Sequence, residues 1–274
     1  MISSISIVGS GALATFYAYR WRSEYNVSVL GSWKESLSAI NSHLQKENNG
    51  KSKATSNWVD IKEPDLVVWL TKTFNNKTAL KKYVQLNWKC PILILQNGIG
   101  QEELFYNILG SNQKLLRGIT SQGAKLISPG YVLDTGYGPV IVEKSKLFDN
   151  FPVIQKKCIQ HFLYNKLAIN AVLNPVSALF SVKNKNAIKG QAGEYLKDLV
   201  KICFPYFEKR QIFESEKEYF KKVILVASKT GENINSMLAD RQMKRKTEIL
   251  EILGPINKEL NNSELTKIIN LLKG

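Results

Sequence analysis

The chain has little of what staples, spans or ligates. Three cysteines (Cys90, Cys158, Cys203), odd in number and far apart, argue against a disulfide framework and against a structural zinc site. There are only two histidines. His43 sits in a polar stretch and His161 beside an apolar helical face, so neither reads as catalytic. The longest uncharged apolar stretch, Leu167 to Val182, has 16 residues and includes Asn170, Asn174 and Pro175. That falls short of the ~20 apolar residues a membrane span needs. The N-terminal MISSISIVGSG lacks the basic region and the sustained apolar run of a secretory signal. A cytoplasmic location is expected, with no bound metal and no membrane partner.

What is present suits a soluble globular protein: 44% hydrophobic and 22% charged residues. A length of 274 residues accommodates two domains. The formal net charge of +15 would suit nucleic acid, a membrane surface or anionic small molecules. The basic residues are overwhelmingly lysines spread along the chain, which plain compositional bias also explains. No Cys/His finger, aromatic RNP strand or basic zipper accompanies the charge, so no nucleic-acid partner is expected.

Residues 2–8 (ISSISIV) form a β-branched run ending at Gly9, and a helical stretch follows from Ala12 to Arg22. Strand-like runs recur at Val27–Leu30, Asp65–Leu70 and Pro91–Leu95, with a helical pattern at Asn76–Leu86 and a turn at Asn97-Gly98. Near-continuous apolar runs mark strands buried on both faces. Strands alternating with helices predict parallel βαβ units in an open, doubly wound sheet of the α/β class. From Arg117 to Val142 short runs broken by glycines predict antiparallel strands finishing that sheet. The polar stretch Gln45–Asn57 reads as a surface excursion. Beyond about Phe148, apolar residues recur at three- and four-residue spacing (Ile159, Phe162, Leu163 and Leu167; Leu196, Leu199 and Val200), which predicts an all-helical domain. The expected domains are 1–150 and 151–274.

Four segments carry chemistry. Gly9-Ser10-Gly11-Ala12-Leu13-Ala14 is a G-x-G-x-x-A that follows a strand and opens a helix. The first glycine permits the tight turn, the second admits a pyrophosphate, and the small third position lets helix and strand pack closely. At the end of the second strand, an acidic residue would bond a ribose 2′-hydroxyl and repel a 2′-phosphate. Here Leu30-Gly31-Ser32-Trp33-Lys34 offers a hydroxyl at Ser32 and a cation at Lys34, which favours NADP. The same lysine also reads as a solvated surface residue. Lys166, Asn170 and Asn174 recur every four residues and share one face of a helix. Two readings fit: a polar network locking two helices, or a cation and two amides converging on a polar ligand. Ser236, Asp240 and Glu248 again follow a helical period, and the bland account is a solvated face with Asp240 and Lys244 as an exposed pair. No histidine being available, Lys166 is the remaining proton donor for a reductase.

These segments, in this order, resemble the ketopantoate reductase (2-dehydropantoate 2-reductase) family. They are the N-terminal glycine motif, Lys72 in LTKTF, Asn97-Gly98, Lys166-Leu-Ala-Ile-Asn170 running into Asn174-Pro175, and Ser236-Met-Leu through Asp240 to Thr247-Glu248-Ile249. The resemblance implies a Rossmann-type sheet domain that holds NADPH and a helical domain that holds a 2-oxo acid. It implies that Lys166 is the general acid and that Asn170, Asn174, Asn184 and Ser236 bind substrate. It places Lys72, Asn97 and Glu248 at the cofactor or the reacting centre, with Glu248 counted beside Lys166 as catalytic and Gly123 among the cofactor-lining positions. The family usually has arginine where this chain has Ser32, and the segment before Ile159 is shortened. A reductase of another oxo acid on the same framework, or a catalytically silent dinucleotide sensor, are the alternatives. A monomer or a homodimer is expected.

Overall fold

The computed structural model describes residues 1–47, 52–136 and 138–273. The chain begins β1 (Ser4–Val8), α1 (Ala12–Trp21), β2 (Asn26–Leu30), α2 (Lys34–Glu47), β3 (Lys53–Thr55) and β4 (Leu66–Trp69). It continues α3 (Asn76–Val84), β5 (Ile92–Ile94), α4 (Gln101–Leu109) and β6 (Leu115–Thr120). After these come β7 (Gly123–Ser128), β8 (Tyr131–Gly136), β9 (Val140–Glu143) and β10 (Ile154–Lys156). Eight strands form one sheet in the order β10-β9-β6-β5-β4-β1-β2-β3. Strands β1 to β6 run parallel, β9 is antiparallel to β6, and β10 runs parallel to β9.

Strand residues alternate between two cores. Ile5, Ile7, Val27, Val29 and Val68 pack with Ala14, Tyr17, Trp21 and Ile40 of α1 and α2. Val8, Leu30, Val67, Trp69 and Ile92 pack with Leu80, Tyr83 and Phe105 of α3 and α4. Helices thus cover both faces, which is why β4 and β5 are buried along their whole length. The order reverses between β1 and β4, so the crevice beyond the carboxyl ends of those two strands is the ligand position of such sheets.

Three local expectations are corrected. The segment 117–142 does not simply finish the sheet: β7 and β8 form a separate two-stranded sheet. This hairpin turns at Gly130 (φ +73°) and is held to α1, where Tyr19 Oη donates to the Gly130 carbonyl at 2.7 Å. The stretch 45–57 is not all surface excursion, because α2 runs into it and Lys53–Thr55 pairs with β2 as the edge strand; residues 48–51 lie outside the described residues. The region after 150 is not wholly helical, because β10 joins the sheet through β9.

The chain divides into two compact units, Met1–Gln96 with Gly100–Ile159, and Asn97–Ile99 with the chain from Gln160 onward. The second unit consists of α5 (Gln160–Phe180), α6 (Gly190–Glu208), α7 (Glu216–Lys229), α8 (Ser236–Gln242), α9 (Ile249–Leu260) and α10 (Ser263–Leu272) around one core. Helix α5 is apolar nearly all round (Leu167, Ala168, Ala171, Val172, Val176 are buried), as a central helix must be. Among the described residues no helix is long and apolar enough to cross a membrane, and no cluster of three or more His, Cys, Asp or Glu could hold a metal.

Candidate active site

In the sheet unit the glycine motif is shaped by backbone contact. Gly9 has φ +131°, and a Cβ there would lie 2.9 Å from the backbone of Leu70 at the end of β4. Its N–H donates to the Leu30 carbonyl at 2.8 Å, so one residue ties together the ends of β1, β2 and β4. Gly11 differs: it is exposed, and a Cβ there would meet nothing within 4 Å. It caps α1 without a side-chain bond, and the first turn has no acidic residue. The start of the helix therefore carries neither a side-chain cap nor a carboxylate, and has room beside Gly11, which suits an anion. Ala12 and Leu13 are half-buried, and Ala14 is packed into the core beneath them.

The turn is braced from behind. Buried Ser10 offers its carbonyl to Ser36 Oγ of α2 at 2.8 Å, and Gly31 packs so closely on the Ser10 side chain that a Cβ would lie 2.8 Å from its Oγ. Ser32 and Lys34 follow, both exposed, with Lys34 opening α2. Lys72 is half-buried just past β4, in extended backbone before a 3₁₀ turn at Thr73–Asn75. Gly123 opens β7 and pairs with Gly136.

In the helical unit, Lys166, Asn170 and Asn174 all lie on α5, on the face the spacing predicts. Asn174 is buried at 5% exposure, Lys166 and Asn170 are half-buried, and among the described residues neither asparagine side chain makes a hydrogen bond. Neither amide is both sealed from solvent and unpaired, as the Ser177 hydroxyl of the same helix is, so both stay accessible to a polar ligand. Asn97 belongs to this unit, and its Nδ2 donates to Glu248 Oε2 at 3.3 Å across 151 residues of sequence. Gly98 (φ +79°) makes that approach feasible, since a Cβ there would lie 2.8 Å from the Glu251 carbonyl.

Asn184 lies in the loop after α5, and Ser236 opens α8. Asn184 is buried: its Oδ1 accepts from Asn235 Nδ2 at 3.2 Å and its Nδ2 donates to Thr230 Oγ1 at 2.8 Å. Ser236 is exposed at the first position of α8, capped by Asn235, whose Oδ1 accepts from the Leu238 N–H at 3.1 Å. The helical period joining Ser236, Asp240 and Glu248 is corrected: α8 ends at Gln242, Lys244 adopts φ +52°, and Glu248 caps the separate helix α9. Asp240 is buried rather than solvated, with its carbonyl accepting the Arg245 N–H at 2.7 Å. Sequence reasoning passed over Asn76, Gln96 and Arg117, all buried beside the carboxyl ends of β4 and β5. Gln96 alone carried a signal, as the polar residue that closes the PILIL run; Asn76 opens α3 and Arg117 lies inside β6.

Residues 5–146 match the family model described as ketopantoate reductase PanE/ApbA, and residues 159–260 match the model of its C-terminal region. A 2-dehydropantoate 2-reductase of Pyrococcus horikoshii is 32% identical over 243 residues, covering 80% of this chain and 74% of that protein. The crystal structure of a probable 2-dehydropantoate 2-reductase of Bacillus subtilis superposes with TM-score 0.76 at 26% identity, covering 98% of this chain and 99% of that one. D-mandelate dehydrogenase, solved with NADH and anilino(oxo)acetate, shares the fold at TM-score 0.82 and 21% identity, with 98% of each chain covered. Two family models matched in order, over most of the sequence, establish that this chain belongs to the ketopantoate reductase family.

Proposed function

We propose that this protein reduces 2-dehydropantoate (ketopantoate) to pantoate with NADPH, a step of pantothenate biosynthesis. The observation that carries the reading is the Lys166–Asn170–Asn174 face of α5, with its two unbonded amides, in a chain of this family. The sheet unit fits a dinucleotide: the open position at Gly11 and the uncapped start of α1 suit a pyrophosphate, and Ser32 and Lys34 follow β2 where a 2′-phosphate would lie. Bound NADPH supplies the hydride that adds to C2 of the oxo acid.

The chain's own residues do the rest. Lys166 gives a proton from Nζ to the C2 oxygen as the carbonyl becomes an alcohol, and its charge stabilises the oxyanion that develops there. Asn170 and Asn174 donate to the substrate's polar groups, and Ser236 reads its hydroxyl. Glu248, whose carboxylate accepts from Asn97 Nδ2, is assigned to the reacting centre beside Lys166 in this reading. The decisive experiment follows NADPH oxidation with ketopantoate and a panel of other 2-oxo acids. Turnover restricted to another acid would assign the alternative reductase. Tight dinucleotide binding without any turnover would make the protein a sensor.

A further inference from the structure

The ends of β4 and β5 and the starts of α3 and α4 meet in one buried knot of amides. Asn76, the first residue of α3 and fully buried, exchanges two hydrogen bonds with Gln96: Nδ2 donates to Oε1 at 2.9 Å, and Gln96 Nε2 donates to Asn76 Oδ1 at 2.7 Å. The same Oδ1 accepts from Trp69 Nε1 at 2.9 Å and Thr71 Oγ1 at 2.8 Å. Asn76 Nδ2 also donates to Oε1 of Gln101, the first residue of α4, at 3.1 Å. Gln96 Nε2 reaches the Thr71 carbonyl at 2.6 Å. Arg117, 3% exposed, donates from β6 to the carbonyls of Ile94 and Gln96, each at 3.0 Å, with Nε 3.3 Å from Glu102 Oε1.

A polar network of this size is favourable only when its members are bonded, and apolar side chains would fill the same space at lower cost. Its effect is local and specific. It pins the Thr71 carbonyl, one residue before Lys72, at the carboxyl end of a strand bordering the switch point, where ligands bind in such sheets.

We propose that Asn76 and Gln96 are positioning residues: they fix the backbone that carries Lys72, so that Lys72 meets the bound dinucleotide in one orientation. The inference rests on the functional reading above, in which Lys72 lines the cofactor. Neither amide is assigned any contact with a ligand.

The test measures the NADPH dissociation constant, kcat and both KM values for Asn76→Asp, Thr71→Val, Lys72→Ala and each double variant with Lys72→Ala, well below every melting temperature. Asn76→Asp keeps the side-chain shape but turns a donor toward Gln96 and Gln101 into an acceptor. Thr71→Val, milder, removes one hydroxyl from the knot. Both should weaken NADPH binding, by on the order of tenfold for Asn76→Asp, and leave KM for the oxo acid nearly unchanged, because misplacing a group by an ångström is expensive even from a distance. In the Lys72→Ala background each should add almost nothing, since it acts through Lys72. A lowered melting temperature with unchanged NADPH affinity, or effects that multiply with Lys72→Ala, would overturn the proposal. Should Asn76→Asp fail to fold, the Thr71→Val cycle decides alone. If Lys72→Ala itself leaves NADPH binding intact, the reading of Lys72 falls and takes the proposal with it. If Lys72→Ala weakens binding while the knot variants do not, only the positioning role falls.

Discussion

Asn184 and Ser236 are both expected to bind substrate, and the forces on them differ. Asn184 spends its amide on Thr230 and Asn235 and its N–H on the Asn233 carbonyl, so it closes the framework. Asn184→Ala removes two bonds to half-buried partners, of which Thr230 keeps its bond to the Val226 carbonyl, and should cost about 1 kcal/mol of stability, seen as a melting temperature a few degrees lower. Ser236 is exposed and its substitution disturbs no packing. Ser236→Ala should hold its melting temperature while kcat/KM for ketopantoate falls roughly tenfold. A 2-oxo acid without the hydroxyl is the control, a poor substrate that the variant handles hardly worse. Equal losses on both acids together with a lower melting temperature would make Ser236 a packing residue. For Lys166→Ala the expectation is a loss of about 10²–10⁴-fold in kcat with NADPH affinity retained. Near-normal turnover would return Lys166 to the structural-network reading. The proposed contacts of Ser32 and Lys34 with a 2′-phosphate carry their own expectation: kcat/KM should favour NADPH over NADH, and Lys34→Ala should narrow the ratio. A preference for NADH, the dinucleotide with which D-mandelate dehydrogenase was solved, would refute that reading of the loop.

Elements are held in register by contacts that no periodicity reveals. The loop after α5 and the loop after α7 are latched by Glu232, which pairs with Lys183 and Lys185, and by the Lys185 N–H bonding the Gly231 carbonyl. The hydrogen bonds from Lys185 and then Lys183 draw the Glu232 carboxyl down from its usual 4.5 to about 2. A carboxylate whose folded pKa is depressed stabilises the fold fully above its unfolded pKa and loses that contribution as pH falls toward the folded one. The melting temperature should therefore drop between about pH 4.5 and pH 2, and Glu232→Gln should flatten part of that slope. The group is fully exposed, so added salt should shrink the effect. The break between α8 and α9 shows why the element boundary was illegible. Residues 243–248 (MKRKTE) contain neither glycine nor proline, and the sequence pattern runs on through them. What stops the helix is tertiary: Thr247 Oγ1 and Arg241 Nη1 are drawn to the Leu272 and Leu271 carbonyls at the end of α10. Lys244 pays with a left-handed backbone, so Lys244→Gly should raise stability by about 1 kcal/mol in denaturant unfolding.

Across the whole molecule, the legible features were those that one element dictates by itself. Apolar runs gave β1, β2, β4 and β5, the glycine motif gave the start of α1, and the four-residue spacing on α5 gave the Lys166 face. Elements whose existence depends on partners were missed. Helix α2 is largely polar outside its Leu37–Ile40–Leu44 stripe, β3 and β10 are three-residue edge strands, and β7–β8 left the sheet because α1 offered it a hydrogen bond and a surface. The site divides the same way, since the glycine motif is a contiguous run while the Asn97–Glu248 pair spans the sequence. One variant separates fold from ligand over the entire protein. Gly9 cannot bear a side chain without striking the Leu70 backbone, so its replacement would confound the two. Gly11 can: its φ of −86° is ordinary, and space surrounds the position of its Cβ. Aspartate is also a preferred N-cap, so Gly11→Asp should fold with equal or slightly higher stability. Its carboxylate would occupy the place, and repel the charge, of a pyrophosphate at the start of α1. Ligand that binds only the folded state stabilises by about 2.7 kcal/mol at one hundred times its dissociation constant. Wild type and Lys166→Ala should both show this NADPH-dependent rise in melting temperature, and Gly11→Asp should show none. An undiminished shift in Gly11→Asp would place the dinucleotide elsewhere and detach the glycine motif from the function proposed for it.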